Sequence, residues 1–242
     1  MDESEIASEG IERLLCNLAQ NTGLRLTELA NNLATIIATQ NWTLLAVTGP
    51  SAVGKTAFAN AVARELASLK LTSQIVGVDD FLREELRGPA TYRANPHVPI
   101  SPAEFDFQKL AEMLRMLRLG VPTDYVGYTR GAGWLRDVRL QPARVFIVEG
   151  LFLDSVSAGA SLSYDLLTAI EAPWQYIADL RRQRDAELRL QYESSYRSSL
   201  QTEKVIAHTR TAYIQYVRSH ETIRRVMLKL DSRGLLESAR TY

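Results

Sequence analysis

The octapeptide Gly49-Pro50-Ser51-Ala52-Val53-Gly54-Lys55-Thr56 fits G-x-x-x-x-G-K-[ST], a pattern whose backbone N–H groups turn inward around phosphate oxygens. Glycines 49 and 54 permit the tight loop. Gly49, Ser51, Ala52, Val53, Gly54, Lys55 and Thr56 are therefore the expected phosphate contacts. Lys55 reaches the terminal phosphates as a point charge, and Thr56 offers its hydroxyl to Mg²⁺. Further along, Asp79 and Glu149 each follow a short apolar run. A carboxylate beside a phosphate loop can take a proton from a hydroxyl or approach Mg²⁺. It can equally cap the next segment or sit at the surface of a strand end. Arg181 and Arg184, three apart on a helical stretch, share a face. Such arginines either stabilise spreading phosphate charge or form a solvated face paired with Asp185 and Glu187.

These groups need a scaffold, and the surrounding pattern supplies one. Residues 42–47 read as a strand before the loop, and 56–70 as a helix after it. A second strand at 74–78 ends at Asp79-Asp80-Phe81. Side chains alternate along a strand, so only one of the two aspartates is expected to face a nucleotide. Residues 83–102 carry four prolines and read as a loop reaching over a site. A helix follows at 103–119, with Phe107, Leu110, Met113, Leu114 and Leu117 on one face and Gly120 as its C-cap. Residues 123–142 suggest a hairpin. Strands are expected at 145–148, near 164–170 and at 226–230, with helices at 174–192 and about 200–218. This alternation predicts an α/β, three-layer fold with a mostly parallel sheet, whose ligands bind outside the carboxyl ends of the strands. Residues 1–40 read as an N-terminal helical extension packed on the core, or as a partner surface. Residues 41–242 read as the main domain.

Composition narrows the function classes. Lysine plus arginine equals aspartate plus glutamate at 28 each, which gives no support to a nucleic-acid or acidic-membrane partner. A single cysteine, Cys16, excludes an intramolecular disulfide, and its apolar surroundings read as packing. His97, His208 and His220 lack metal-ligand spacing, and His97 lies in the proline-rich loop where it could meet a substrate. No apolar run approaches the roughly 20 residues that span a bilayer. The acidic start Met1-Asp2-Glu3-Ser4-Glu5 is unlike a targeting peptide. A cytoplasmic protein without a membrane or nucleic-acid partner, free to form a homo-oligomer, is the expectation.

Taken together, the motifs resemble the uridine kinase, phosphoribulokinase and bacterial pantothenate kinase group of P-loop kinases. The resemblance runs over about 42–230 and rests on five segments in order: the phosphate loop, Asp79-Asp80-Phe81-Leu82, Pro102-Ala103-Glu104-Phe105-Asp106, Val148-Glu149-Gly150-Leu151 and Arg181-Arg182-Gln183-Arg184-Asp185. It implies a P-loop NTPase fold with a helical lid near 174–193 and a substrate region near 83–142. It also implies a kinase, with ATP and Mg²⁺ as cofactors, acting on a hydroxyl of a small molecule such as a nucleoside, sugar or vitamin precursor. Asp79 would be the base, Lys55, Arg181 and Arg184 the phosphate-stabilising cations, and Thr56, Asp79 and Glu149 the metal region. In uridine kinases a segment Y-D-Y-x-x-H-T-R recognises the nucleoside. Here it reads Thr123-Asp124-Tyr125-Val126-Gly127-Tyr128-Thr129-Arg130, so the first tyrosine and the histidine are replaced. Phe81, Tyr125, Tyr128 and Arg130 are the candidate substrate contacts, with Trp134 nearby. The aromatics serve equally well as anchors that pack the hairpin. A nucleotide-binding regulatory module without a small acceptor is the alternative reading.

Overall fold

Apolar runs without polar alternation make strands buried on both faces. Leu44–Thr48 (β1) and Val145–Gly150 (β5) are two such runs, and in the computed structural model they lie side by side, parallel, at the centre of a six-stranded sheet. The structure describes residues 11, 12, 14, 16, 18, 22–86, 101–129, 134–155, 158, 161–192, 198–219 and 225–241, with the backbone alone at 128, 129, 134, 192, 218 and 219. The remaining elements are α1 (Leu26–Gln40), α2 (Lys55–Ser68), β2 (Ser73–Gly77), α3 (Phe107–Arg118), β3 (Thr123–Thr129), β4 (Trp134–Leu140), β6 (Leu166–Glu171), α4 (Trp174–Tyr192), α5 (Ser199–Ser219), β7 (Val226–Leu230) and β8 (Leu236–Thr241). The sheet order is β2-β5-β1-β6-β7-β8, and β3 and β4 form a separate antiparallel pair.

The strands divide the core in two. Leu45, Val47, Val145 and Ile147 face one cluster with α1 and α2, including Leu29, Leu33, Phe58 and Val62. Leu44, Ala46, Phe146 and Val148 face a second cluster with α3, Leu140 of β4 and Tyr216 of α5. This is the expected three-layer arrangement. Helix α1 buries Leu26, Leu29, Ala30, Leu33, Ala34, Ile36 and Ile37, and the Glu28 carboxylate closes its first turn by accepting from the Arg25 N–H at 2.6 Å. Behind the sheet, Asp154 accepts from the Tyr216 hydroxyl at 2.9 Å and pairs with Arg225. All three side chains are buried, so neither charge is left uncompensated.

Four expectations need correction. The helix foreseen at 103–119 begins at Phe107. Phe105 is extended and bridges to Leu82, and Asp106 then caps α3 by accepting from the Lys109 N–H at 2.9 Å. Gly120, at φ +83°, lies one residue beyond the cap rather than at it. A final antiparallel strand, β8, closes the sheet edge beside β7. Of its residues Leu236 alone is buried, so it carries no apolar alternation to announce it. Cys16 is exposed, because Leu14 and Leu18 take the buried side of that helical stretch and residue 16 lies about 200° from each. Residues 87–100, with His97 and most of the proline-rich loop, lie outside the described residues. Among the described residues no helix is long and apolar enough to cross a membrane.

Candidate active site

Three strand ends meet level with one another. Glu149 of β5 pairs with Val47 of β1 on one side and with Gly77 of β2 on the other. At about 4.8 Å per strand, the loop after β1 and the turn after β2 flank Glu149 roughly 10 Å apart.

The loop after β1 passes directly over the end of β6. A Cβ on Gly49 would sit 2.4 Å from the Ile170 carbonyl oxygen, and φ is +142°, so only glycine fits. Ala52 and Gly54 also take positive φ, at 74° and 104°. Val53, 1% exposed, anchors the loop in the core. Gly54 caps α2 without a side chain, so the positive end of the helix dipole faces the loop. The Lys55 ammonium curls back, donating to the Gly49 and Pro50 carbonyls at 3.1 and 2.9 Å. Thr56 donates its hydroxyl to Glu149 Oε1 at 3.0 Å.

Asp79 and Asp80 stand not on a strand but on a 3₁₀ turn, Val78–Phe81. They diverge nonetheless. Asp79 lines the cavity beside the phosphate loop. Asp80 is buried and accepts from the Tyr125 hydroxyl at 2.9 Å and from Arg136 Nη2 at 3.3 Å. The turn is gripped from below by the Asp106 N–H, which donates to the Phe81 carbonyl at 2.8 Å.

Helix α4 roofs the same space. Leu180, Gln183, Arg184 and Glu187, spaced i, i+3, i+4, i+7, face a cavity of about 340 Å³. Its floor is Ser51, Ala52, Gly54, Lys55, Thr56, Asp79 and Glu149. Arg184 Nε is buried, without a hydrogen-bond partner among the described residues, and it stands 3.7 Å from Asp185 Oδ1. Asp185 is fully buried and accepts from the Thr202 hydroxyl of α5 at 3.1 Å. Arg181, 3% exposed, donates to the Ser51 hydroxyl at 3.1 Å, tying the roof to the loop.

The structure thus brings Ser51, Ala52, Gly54, Lys55, Thr56, Asp79, Glu149 and Arg184 onto one cavity, with Gly49, Val53 and Arg181 holding its frame. Phe81 lies in the core, 1% exposed, stacked on Tyr125 with ring centroids 5.5 Å apart. Burial, and then the Asp80 carboxylate, push the Tyr125 hydroxyl up, so it stays a neutral donor. Tyr128 lies in β3 by its backbone. Its side chain, that of Trp134, and Arg130 lie outside the described residues. Sequence reasoning missed Leu180, Gln183 and Glu187, although their helical spacing with Arg184 was there to be read.

The lining sets two cations, Lys55 and Arg184, against three carboxylates, Asp79, Glu149 and Glu187. A divalent cation would offset that excess of negative charge beside a bound polyphosphate. Its oxygen donors, Thr56, Glu149 and Asp79, are of the class Mg²⁺ prefers. Among the described residues no three His, Cys, Asp or Glu side chains form a ready cage.

No family model and no curated protein matches the chain by sequence. Solved structures do match. A D-glycerate 3-kinase from Cryptococcus neoformans var. grubii superposes with a TM-score of 0.63 at 12% identity, over 88% of this chain and 99% of that one. A protein assigned as a fructose transport system kinase from Silicibacter sp. TM1040 does so with a TM-score of 0.57 at 20% identity, over 79% and 95%. The chain shares the three-layer α/β fold of these P-loop kinases.

Proposed function

We propose that the protein is an ATP-dependent kinase that transfers the γ-phosphate to a hydroxyl of a small molecule. One observation carries this reading: a phosphate loop, a carboxylate at the end of β5, a second on the turn after β2 and a roofing arginine line a single cavity. The hydroxyl loses its proton to the Asp79 carboxylate, its oxygen bonds to the γ-phosphorus, and the bond to the ADP oxygen breaks. The loop amides, Lys55 and the Arg184 guanidinium stabilise the charge that spreads over the phosphoryl oxygens. Thr56, Glu149 and Asp79 would hold Mg²⁺, which neutralises phosphate charge when bound. Helix α4 excludes water, the competing acceptor.

The acceptor is sought by measuring ADP release across hydroxy acids, sugars, nucleosides and pantothenate-like vitamins, with mass spectrometry of the product. Hydroxy acids and sugars head the panel, because the two similar structures are named for D-glycerate and fructose. Acceptor-dependent ADP release with a product heavier by one phosphate supports the proposal. Acceptor-independent hydrolysis, or ATP binding without turnover across the panel, would instead indicate a nucleotide-dependent regulatory module.

A further inference from the structure

A carboxylate 6% exposed must be paired, and the partners of Asp80 are unusual in where they come from. Two of them belong to the hairpin: Tyr125 of β3 donates at 2.9 Å and Arg136 of β4 donates at 3.3 Å. The hairpin is shaped to let the carboxylate in. A Cβ on Gly127 would lie 3.1 Å from Asp80 Oδ1 and 2.8 Å from Val138 Cγ2, so a larger residue there closes the approach. The Phe81 ring adds a stack on Tyr125 from the same turn. The opposite side of the turn is fixed by backbone, through the Asp106–Phe81 hydrogen bond and the Leu82–Phe105 bridge. Asp79 is the residue immediately before both grips and the neighbour of Asp80 in the chain.

We infer that Asp80 is a positioning residue: through Tyr125 and Arg136 it transmits the position of the β3–β4 hairpin to the turn that aims Asp79. Tyr125 then serves the base rather than the acceptor. An acceptor that seats the hairpin also sets the base, and one that leaves the hairpin displaced leaves the base misdirected. In its catalytic consequence the inference rests on the kinase reading above. Its structural content does not.

The test uses the full chain as wild type, Tyr125→Phe, Asp80→Asn and the double variant. The first measurement is hydrogen exchange at residues 79–82 without ligand. Loss of a hydrogen bond to a buried carboxylate is expected to speed exchange there about tenfold in each single variant. The second is steady-state kinetics with the acceptor found in the screen. A misplaced base predicts a fall in kcat of about 10- to 100-fold, with the KM for ATP changed less than about threefold. The double variant should be no worse than the more severe single one, since both act through one contact. A merely structural role would lower Tm while leaving kcat per folded molecule unchanged, and that result overturns the inference. Unaltered exchange at 79–82 in both single variants also overturns it. If no acceptor is phosphorylated by the wild type, the kinase reading fails, while the exchange measurement still decides whether the hairpin and the turn are coupled.

Discussion

The strand ends that carry the phosphate loop and the hairpin that approaches them are held by different forces. Glu149 is fixed by in-register backbone pairing on both sides, and the loop by a glycine that passes against the Ile170 carbonyl where a Cβ would clash. The hairpin has its own two-stranded ladder and reaches the Asp79 turn by side chains, chiefly the Asp80–Tyr125–Arg136 group. Its outer face, with Asp124, Val126, Leu135, Asp137 and Arg139, is exposed. Phosphoryl transfer tolerates errors of only a fraction of an ångström, and on the kinase reading its groups hang on the loop, turn and helix ends that the strands fix. A surface that chooses among acceptors needs residues that can change without unfolding the sheet. On the kinase reading, the contrast would place reaction class at the sheet's strand ends and substrate choice in the hairpin.

The most direct way to break this contrast is Asp79→Asn. If the strand-end groups perform the chemistry, kcat falls by about 10²–10⁴-fold while ATP affinity stays within about threefold, read by coupled ADP assay and by direct nucleotide binding. Equal turnover in the variant would move the base elsewhere. Next in size is Arg225→Ala, which leaves the Asp154 carboxylate buried beside Tyr216 without its cation. Removing one partner of a buried pair costs about 3–5 kcal/mol. Urea denaturation should show that loss, and kcat per folded molecule should not change, because this pair supports the fold behind the sheet. Smaller again is Gly49→Ala, whose Cβ would meet the Ile170 carbonyl oxygen at 2.4 Å. Overpacking of this kind costs about 1–3 kcal/mol, and the displaced loop should also weaken ATP binding. Gly120→Ala is its control, with φ +83° and nothing within 4 Å, so it shows backbone strain without a clash.

What was legible in the sequence follows the same division. The loop could be read because its function depends on backbone torsions that glycine alone adopts, within eight consecutive residues. Glu149 could be read because a carboxylate ending a buried strand has few places to point. The bond from Tyr125 to Asp80 was not legible, since nothing local reveals a carboxylate partner 45 positions away. The 3₁₀ turn under Asp79 was taken for strand, because its hold comes from residues 105 and 106. Strand β8 escaped because an edge strand with one buried residue carries no period. The cavity face of α4 escaped because helical spacing names the residues that share a side, not what that side meets.

The smallest expected effect concerns that helix. Arg182 donates to Glu203 of α5 through two hydrogen bonds of 2.7 and 3.0 Å, and both side chains are largely exposed. The hydrogen bond from Arg182 holds the Glu203 carboxyl below its ordinary value of 4.5. A depressed carboxylate stabilises the fold above its unfolded pKa and ceases to as pH falls through the folded one. The wild-type advantage over Glu203→Gln should therefore be present at pH 7 and be lost as pH falls below the ordinary 4.5 through the lower folded value. It should amount to no more than about 2 °C in Tm at low salt and shrink at 1 M salt, where screening acts within about 3 Å. The buried link between the same two helices, the Thr202 hydroxyl on Asp185, should be insensitive to salt. A Glu203→Gln loss that persisted at 1 M salt would show that the exposed bridge, rather than this buried bond, sets how α4 sits over the cavity.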